Sequence, residues 1–232
     1  MIKLYNNDCL AILQALPTAS VDLVVMDPPY DLKINHNGGK LYKNKGLEVS
    51  QQEVTTAGID NGTQSTKVLI YDSNTMKTVA IASAPHDIIS REDGSREQLA
   101  SWWIDALKNC FDQIDSGIKE KIEAIGVSGQ QHGFVPVAED GSVLAPVKLW
   151  CDTSTVEECK EITEALGGRE RVIEIAGNEI KTGYTAPKIL YFKKHSPELY
   201  EKMKWVMLPH DYLNFFLTGN PVRPLSVYSF KN

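Results

Sequence analysis

Three short apolar runs stand in quick succession near the start of the larger part of the chain: Thr56 to Ile59, Lys67 to Tyr71 and Thr78 to Ser83. Polar turns rich in Gly, Ser, Thr and Asn separate them. Runs of this length, so closely spaced, leave no room for crossover helices, so they predict an antiparallel meander. A strong helical signal follows. Leu99, Trp102, Trp103, Ala106, Leu107, Cys110, Phe111 and Ile114 recur at steps of three and four, which makes one wide apolar face. Ser95 with Gln98 fits a capping box at its start, and Gly117 is the expected stop. Ile122 to Val127 then reads as a buried strand. A meander, a helix and a further buried strand require an α/β domain with a mixed sheet and flanking helices.

The rest of this region continues the pattern. Val135 to Ala138 and Val143 to Trp150, around a turn at Asp140-Gly141, predict a hairpin. Helices are expected over Thr153 to Leu166, ended by Gly167-Gly168, then over Ala186 to His195, Pro197 to Lys204 and Asp211 to Leu217, with a strand at Val206 to Leu208. Four segments follow: 1–47 as a separate short α/β fragment, 48–53 as a junction, 54–220 as the main domain, and 221–232 as a divergent tail.

Composition excludes several classes. No apolar run reaches the ~20 residues that span a bilayer, and Asn6, Asn7 and Asp8 interrupt any signal-like stretch. A cytoplasmic location is therefore expected, without membrane association. The formal charge of −6 argues against nucleic acid as the partner of the whole chain. Lys33, Lys40, Lys43 and Lys45 remain either a local basic patch or a solvated loop. Cys9, Cys110, Cys151 and Cys159 form no CxxC pair and are expected to be free thiols.

Two places carry chemistry in the main domain. Asp60 ends a strand, and Asn61-Gly62-Thr63-Gln64-Ser65-Thr66-Lys67 leads into the next. Gly62 permits a tight turn, the hydroxyls of Thr63, Ser65 and Thr66 suit an anion, and Lys67 adds positive charge. Asp60 could orient water on a magnesium ion. The second place is Gln130-Gln131-His132-Gly133, directly after the buried strand. Ligands gather at such strand ends in α/β folds, and adjacent Gln and His suit a polyol. A lone histidine such as His132 is more often a structural residue, and its position at a strand end between glycines weakens that reading.

Five stretches together resemble the FGGY carbohydrate kinases. They are Gly58 to Lys67, Gly126 to Gly133, Leu149-Trp150-Cys151-Asp152, Thr185-Ala186-Pro187-Lys188, and Leu208 to Leu213. The Gly129 to Gly133 and Thr185 to Lys188 stretches point to the xylulokinase branch. The resemblance implies an actin-like, ribonuclease-H-like ATPase domain and ATP-dependent phosphorylation of a ketopentose such as D-xylulose. It implies that Asp60 helps place Mg²⁺ and that Gly62, Thr63, Gln64, Ser65 and Lys67 lie along the ATP phosphates. It also implies that Gln131 and His132 contact the sugar, with Asp152 near it. Family members often carry Arg two positions after that Asp; here the residue is Ser154.

A different resemblance covers about Met1 to Gly46. Asp27-Pro28-Pro29-Tyr30 follows the apolar run Val21 to Met26, as in the active-site motif of DNA adenine-N6 methyltransferases. In that family Asp27 and the Pro28 carbonyl would accept from the target amine and Tyr30 would stack on the flipped base. No S-adenosylmethionine motif follows, so neither that cofactor nor DNA is expected to bind. The chain thus reads as a composite. Two further expectations concern the kinase-like part. Exposed apolar surface on it favours a homodimer. No Gly-Gly-Asp segment of the kind that supplies the family's general base follows Asn220, so the 232-residue polypeptide is expected to be inactive by itself. Robust sugar-dependent ATP turnover by the purified chain would overturn that last expectation.

Overall fold

The computed structural model describes residues 55–219. Strands β1 (Thr55–Asn61), β2 (Ser65–Asp72) and β3 (Lys77–Pro85) form the expected meander. The sheet gains a fourth member, β6 (Ile122–Gly129), in the order β3-β2-β1-β6. β1 pairs antiparallel with β2 and parallel with β6, so Asp60 lies opposite both Lys67 and Ser128. The mixed sheet follows from the chain path. Turns join the first three strands directly, whereas helix α1 (Ala100–Asp112) carries the chain back so that β6 runs alongside β1.

Period-two alternation decides which face is buried. Ala57, Ile59, Val68, Ile70, Ala82 and Ala84 face the core. They meet Trp103, Ala106, Leu107 and Cys110 of α1 in one apolar cluster. On the opposite face Leu69, Val79 and Ile81 remain exposed, beside Asp60 and Lys67. Trp103 is fully buried and Trp102 half-buried, as core residues of the stripe.

The helix starts later than the capping signal implies. Arg96–Gln98 is strand β5, between β4 (Ile89–Ser90) and β8 (Val147–Lys148). Leu99 is the N-cap and no side chain caps α1. Tertiary bonds have taken both polar groups. Ser95 Oγ accepts from Lys148 Nζ, and the Gln98 amide is committed elsewhere. The helix also ends at Asp112, well before Gly117, which sits inside a short helix α2 (Ser116–Lys119) capped by Asp115.

The predicted hairpin forms only at its tip. Ala138 N donates to Ser142 O and Leu144 N to Pro136 O. The returning limb then departs: β7 (Val135–Ala138) pairs with β9 (Met203–Met207), while β8 joins β5. Helices α3 (Val156–Ala165), α5 (Thr185–His195), α6 (Pro197–Lys202) and α7 (Pro209–Thr218) match the expected segments within a few residues. Helix α4 (Arg169–Ala176) was not expected. Gly167 and Gly168 start a second helix as well as ending the first. Only Val172 of α4 is buried, so there was no apolar stripe to read. Cys110, Cys151 and Cys159 are free thiols. No helix among the described residues is long and apolar enough to cross a membrane. The methyltransferase-like motif Asp27-Pro28-Pro29-Tyr30, Cys9 and the tail 221–232 lie outside the described residues.

Burial sets the expected cost of substitutions. Trp103→Ala should destabilise the domain by about 3–5 kcal/mol. Ile175→Lys, on the exposed side of α4, should stay within about 0.5 kcal/mol of the parent. Urea unfolding followed by circular dichroism measures both.

Candidate functional site

Residues Gly62-Thr63-Gln64 cross from β1 to β2, and Gly62 N donates to Ser65 O at 3.0 Å. The glycine serves here by its size. A Cβ would lie 3.3 Å from Ser65 O, while its φ is outside the left-handed region. Asp60 and Lys67 are exposed on the same sheet face, and among the described residues neither side chain has a partner. The Thr66 hydroxyl is not available at the turn. Thr66 is fully buried and donates to Asn61 Oδ1 at 3.0 Å. A cavity of about 520 Å³ opens at the turn, lined by Asp60, Gly62, Thr63, Gln64, Ser65 and Lys67, with Trp150 and Cys151 at its side. One carboxylate, one ammonium and hydroxyls at a glycine turn suit a hydrated cation and an anion together.

The parallel pairing of β1 with β6 brings the second motif to the same end of the sheet. Gly129 lies opposite Asn61, and Gln130 N donates to Asn61 O at 2.9 Å. Two buried glutamines then tie the loops together. Gln98 Nε2 donates to Thr63 O at 2.7 Å and to Asp87 O at 2.8 Å, and lies 2.9 Å from His86 Nδ1. Its Oε1 accepts from Trp103 Nε1 at 3.0 Å and from Gln130 Nε2 at 2.9 Å. Gln98 was read as a cap, and Gln130 only as part of the second motif. The available signal was a glutamine placed directly before the apolar stripe and another directly after a buried strand.

Gln131 is half-buried, with Nε2 3.5 Å from Gly129 O. His132 is exposed and takes φ of 59°, a left-handed backbone for a non-glycine residue. Its ring lies 4.9 Å from that of Tyr184. Partial burial, with the nearby Lys188 charge, holds its pKa below the ordinary histidine value. Gly133 cannot carry a side chain here, since a Cβ would fall 2.6 Å from Pro209 Cγ. That glycine admits the start of α7. Trp150 connects the regions from the other side: its Nε1 donates to Thr63 Oγ1 at 2.9 Å.

Asp152 is fully buried. Its oxygens accept from Arg96 N at 2.9 Å, Lys148 Nζ at 3.2 Å, Ser154 N at 3.0 Å and Ser154 Oγ at 2.7 Å. Its carboxylate therefore faces these four donors, and Ser154 supports the carboxylate directly. Lys148 also meets Glu97 at 3.5 Å and lies 4.5 Å from the Tyr191 ring centre. Lys188 is fully buried too, and donates to His132 O at 2.8 Å and Gly183 O at 2.7 Å. Burial pushes its pKa down to about 7, against an opposing pull from Asp152 and Cys151.

Two outcomes are expected. Asp152→Ala removes one of the two carboxylates that face buried Lys148 and leaves the Arg96 N–H without its acceptor, and should cost about 3 kcal/mol in urea unfolding. Lys188 is depressed from 10.5 to about 7 on folding, so between those values the unfolded chain binds a proton that the folded chain does not. This group's contribution to stability should therefore rise with pH through that window, and its penalty should be complete below about 7. Comparison with Lys188→Met at pH 7 and pH 9 should show the parent gaining about 1 kcal/mol per pH unit relative to the variant.

Comparison with known proteins gives one consistent result. The model of the N-terminal domain of the FGGY family of carbohydrate kinases matches residues 55–229. A xylulose kinase from Haemophilus influenzae is 40% identical over 169 residues, covering 70% of this chain and 34% of that protein. Among solved structures, a xyloylose kinase from Brucella ovis superposes with a TM-score of 0.65 at 30% identity. A xylulose kinase from Bifidobacterium adolescentis gives 0.64 at 28%. Each structural match covers 72% of this chain and 34% of the other. The chain thus spans about a third of the length of these relatives. The mixed sheet with its flanking helices is the actin-like ATPase architecture of these sugar kinases. The family match covers every strand and helix described above, and the chain belongs to the FGGY family of carbohydrate kinases, through that family's N-terminal domain.

Proposed function

We propose that residues 54–220 form the part of a xylulokinase-like enzyme that receives a ketopentose such as D-xylulose and the phosphate end of ATP. One observation carries this reading. The Asp60 turn and the Gln131–His132 loop emerge side by side from parallel strands, and Gln98 bonds both through Thr63 O and Gln130. The names of the relatives support the choice of sugar.

Phosphoryl transfer depends chiefly on positioning and on neutralising charge. Asp60, exposed and unpartnered among the described residues, would hold Mg²⁺ through bound water. That ion, when bound, offsets phosphate charge. Thr63, Gln64, Ser65 and Lys67 would bind the phosphate oxygens, around the small Gly62. Gln131 and His132 would bind sugar hydroxyls. A lowered imidazole pKa keeps His132 neutral at pH 7, able both to donate and to accept. Asp152 acts one step back, holding the β8–α3 loop that carries Trp150 and Cys151.

Titration calorimetry of the full chain tests this. D-xylulose and ATP-Mg should each bind. His132→Ala should weaken D-xylulose at least about tenfold, and Asp60→Ala should do the same for ATP-Mg, each about 1.4 kcal/mol. Absence of binding for both ligands in the parent chain counts against the reading. S-adenosylmethionine, run in parallel, tests the methyltransferase-like reading of residues 1–47. That reading rests on Asp27-Pro28-Pro29-Tyr30 after the apolar run Val21 to Met26, with Asn7 to Leu10, Leu16-Pro17 and Ser20 to Leu23 completing the pattern, and no heat is expected.

The homodimer reading rests on Leu69, Val79 and Ile81, exposed together on one sheet face. Sedimentation velocity should show a concentration-dependent dimer that Ile81→Arg disrupts; a monomer at every concentration counts against it.

A further inference from the structure

The Gln131–His132 loop has an unusual conformation with an identifiable cause. A left-handed backbone at a non-glycine residue costs roughly 1–2 kcal/mol and persists only where the surroundings impose it. At His132 the imposing contacts converge on one atom. Its carbonyl oxygen accepts from Lys188 Nζ at 2.8 Å and from Thr185 Oγ1 at 3.3 Å. Both donors come from the first turn of α5.

The Lys188 ammonium nitrogen makes a second bond, to Gly183 O at 2.7 Å. Gly183 precedes α5 and is pressed against the loop after β8, where a Cβ would lie 2.7 Å from Trp150 O. One buried side chain therefore joins the β6–β7 loop to the entry of α5. Burying an amine is costly, and a methionine of similar length would fill the same space without that cost. The two carbonyls are what the amine adds. The nitrogen offers at least two N–H groups in either protonation state, one for each carbonyl.

We propose that Lys188 is a positioning residue for the sugar-binding loop. With Thr185 it clamps the His132 carbonyl and so fixes the direction in which Gln131 and His132 present their side chains to the ketose. The proposal rests on the kinase reading above and deepens it. Lys188 itself is fully buried, so it acts through His132 and makes no sugar contact.

The test is a split between two affinities of the full chain. Lys188→Met should raise the D-xylulose Kd at least tenfold and leave the ATP-Mg Kd within twofold. An unchanged D-xylulose Kd overturns the proposal, and so does an equal loss of both ligands, which a general structural role would produce. Should Lys188→Met fail to fold, Thr185→Val, which removes only the outer bond, should weaken D-xylulose about threefold on the same split; no change overturns the clamp. A parent chain that binds ATP-Mg but no ketose sinks the sugar reading instead. The clamp is then decided by thermal unfolding. His132→Gly removes the strain that Lys188→Met would otherwise release by freeing the loop, so Lys188→Met should lower the Tm by more in the His132→Gly background than in the parent. Equal Tm losses in the two backgrounds overturn it.

Discussion

A single amide, that of Gln98, holds the working end of the domain together. Its nitrogen reaches the phosphate-type turn at Thr63 O and the β3–β4 connection at Asp87 O; its oxygen takes bonds from Gln130 and from the core indole Trp103. A buried network is favourable only when its members are satisfied. Here the two N–H groups of Gln98 face three acceptors within 2.9 Å, and among the described residues Gln130 Oε1 and His86 Nε2 are buried without a hydrogen-bond partner. The parallel β1–β6 pair brings the two loops to one end, and Gln98 sets their spacing. Sheet register and side-chain amide thus do complementary tasks, one coarse and one fine.

Charge is divided by the same logic. Asp60 and Lys67 face solvent on the open side of the sheet, where a ligand can supply their partner. Lys148, Glu97 and Asp152 are buried and mutually paired, and they shape the β8–α3 loop. Isolated buried charges are costly, whereas exposed pairs contribute little to stability. The Lys148 cluster thus shapes the loop from beneath the surface, and Asp60 and Lys67 are left for binding.

Much of this was legible in the chain. Strand alternation and the α1 stripe are strong local signals, so the meander, the helix and β6 were readable from residue order. The loops around Asp60 and Gln131 were readable as polar, glycine-bearing strand ends, whereas the roles proposed for their residues come from the family resemblance. The failures share a cause: long-range bonds outbid local ones. Ser95 and Gln98 look like a helix cap, yet their partners are Lys148, Thr63 and Gln130, distant in sequence. Val143 to Trp150 looks like a hairpin limb, yet β5 claims it. Helix α4 buries one residue, so no periodicity existed to detect. The carbonyl of left-handed His132 is bonded by a lysine 56 positions away.

The bond from Trp150 Nε1 to Thr63 Oγ1 has a spectroscopic consequence. The chain holds four tryptophans. Trp103 is sealed in the core, whereas Trp150 is half exposed beside the turn proposed for phosphates. An indole donating to that threonine senses any change in what the hydroxyl does. Its emission is thus a built-in optical gauge of the turn, read from the protein without an added label.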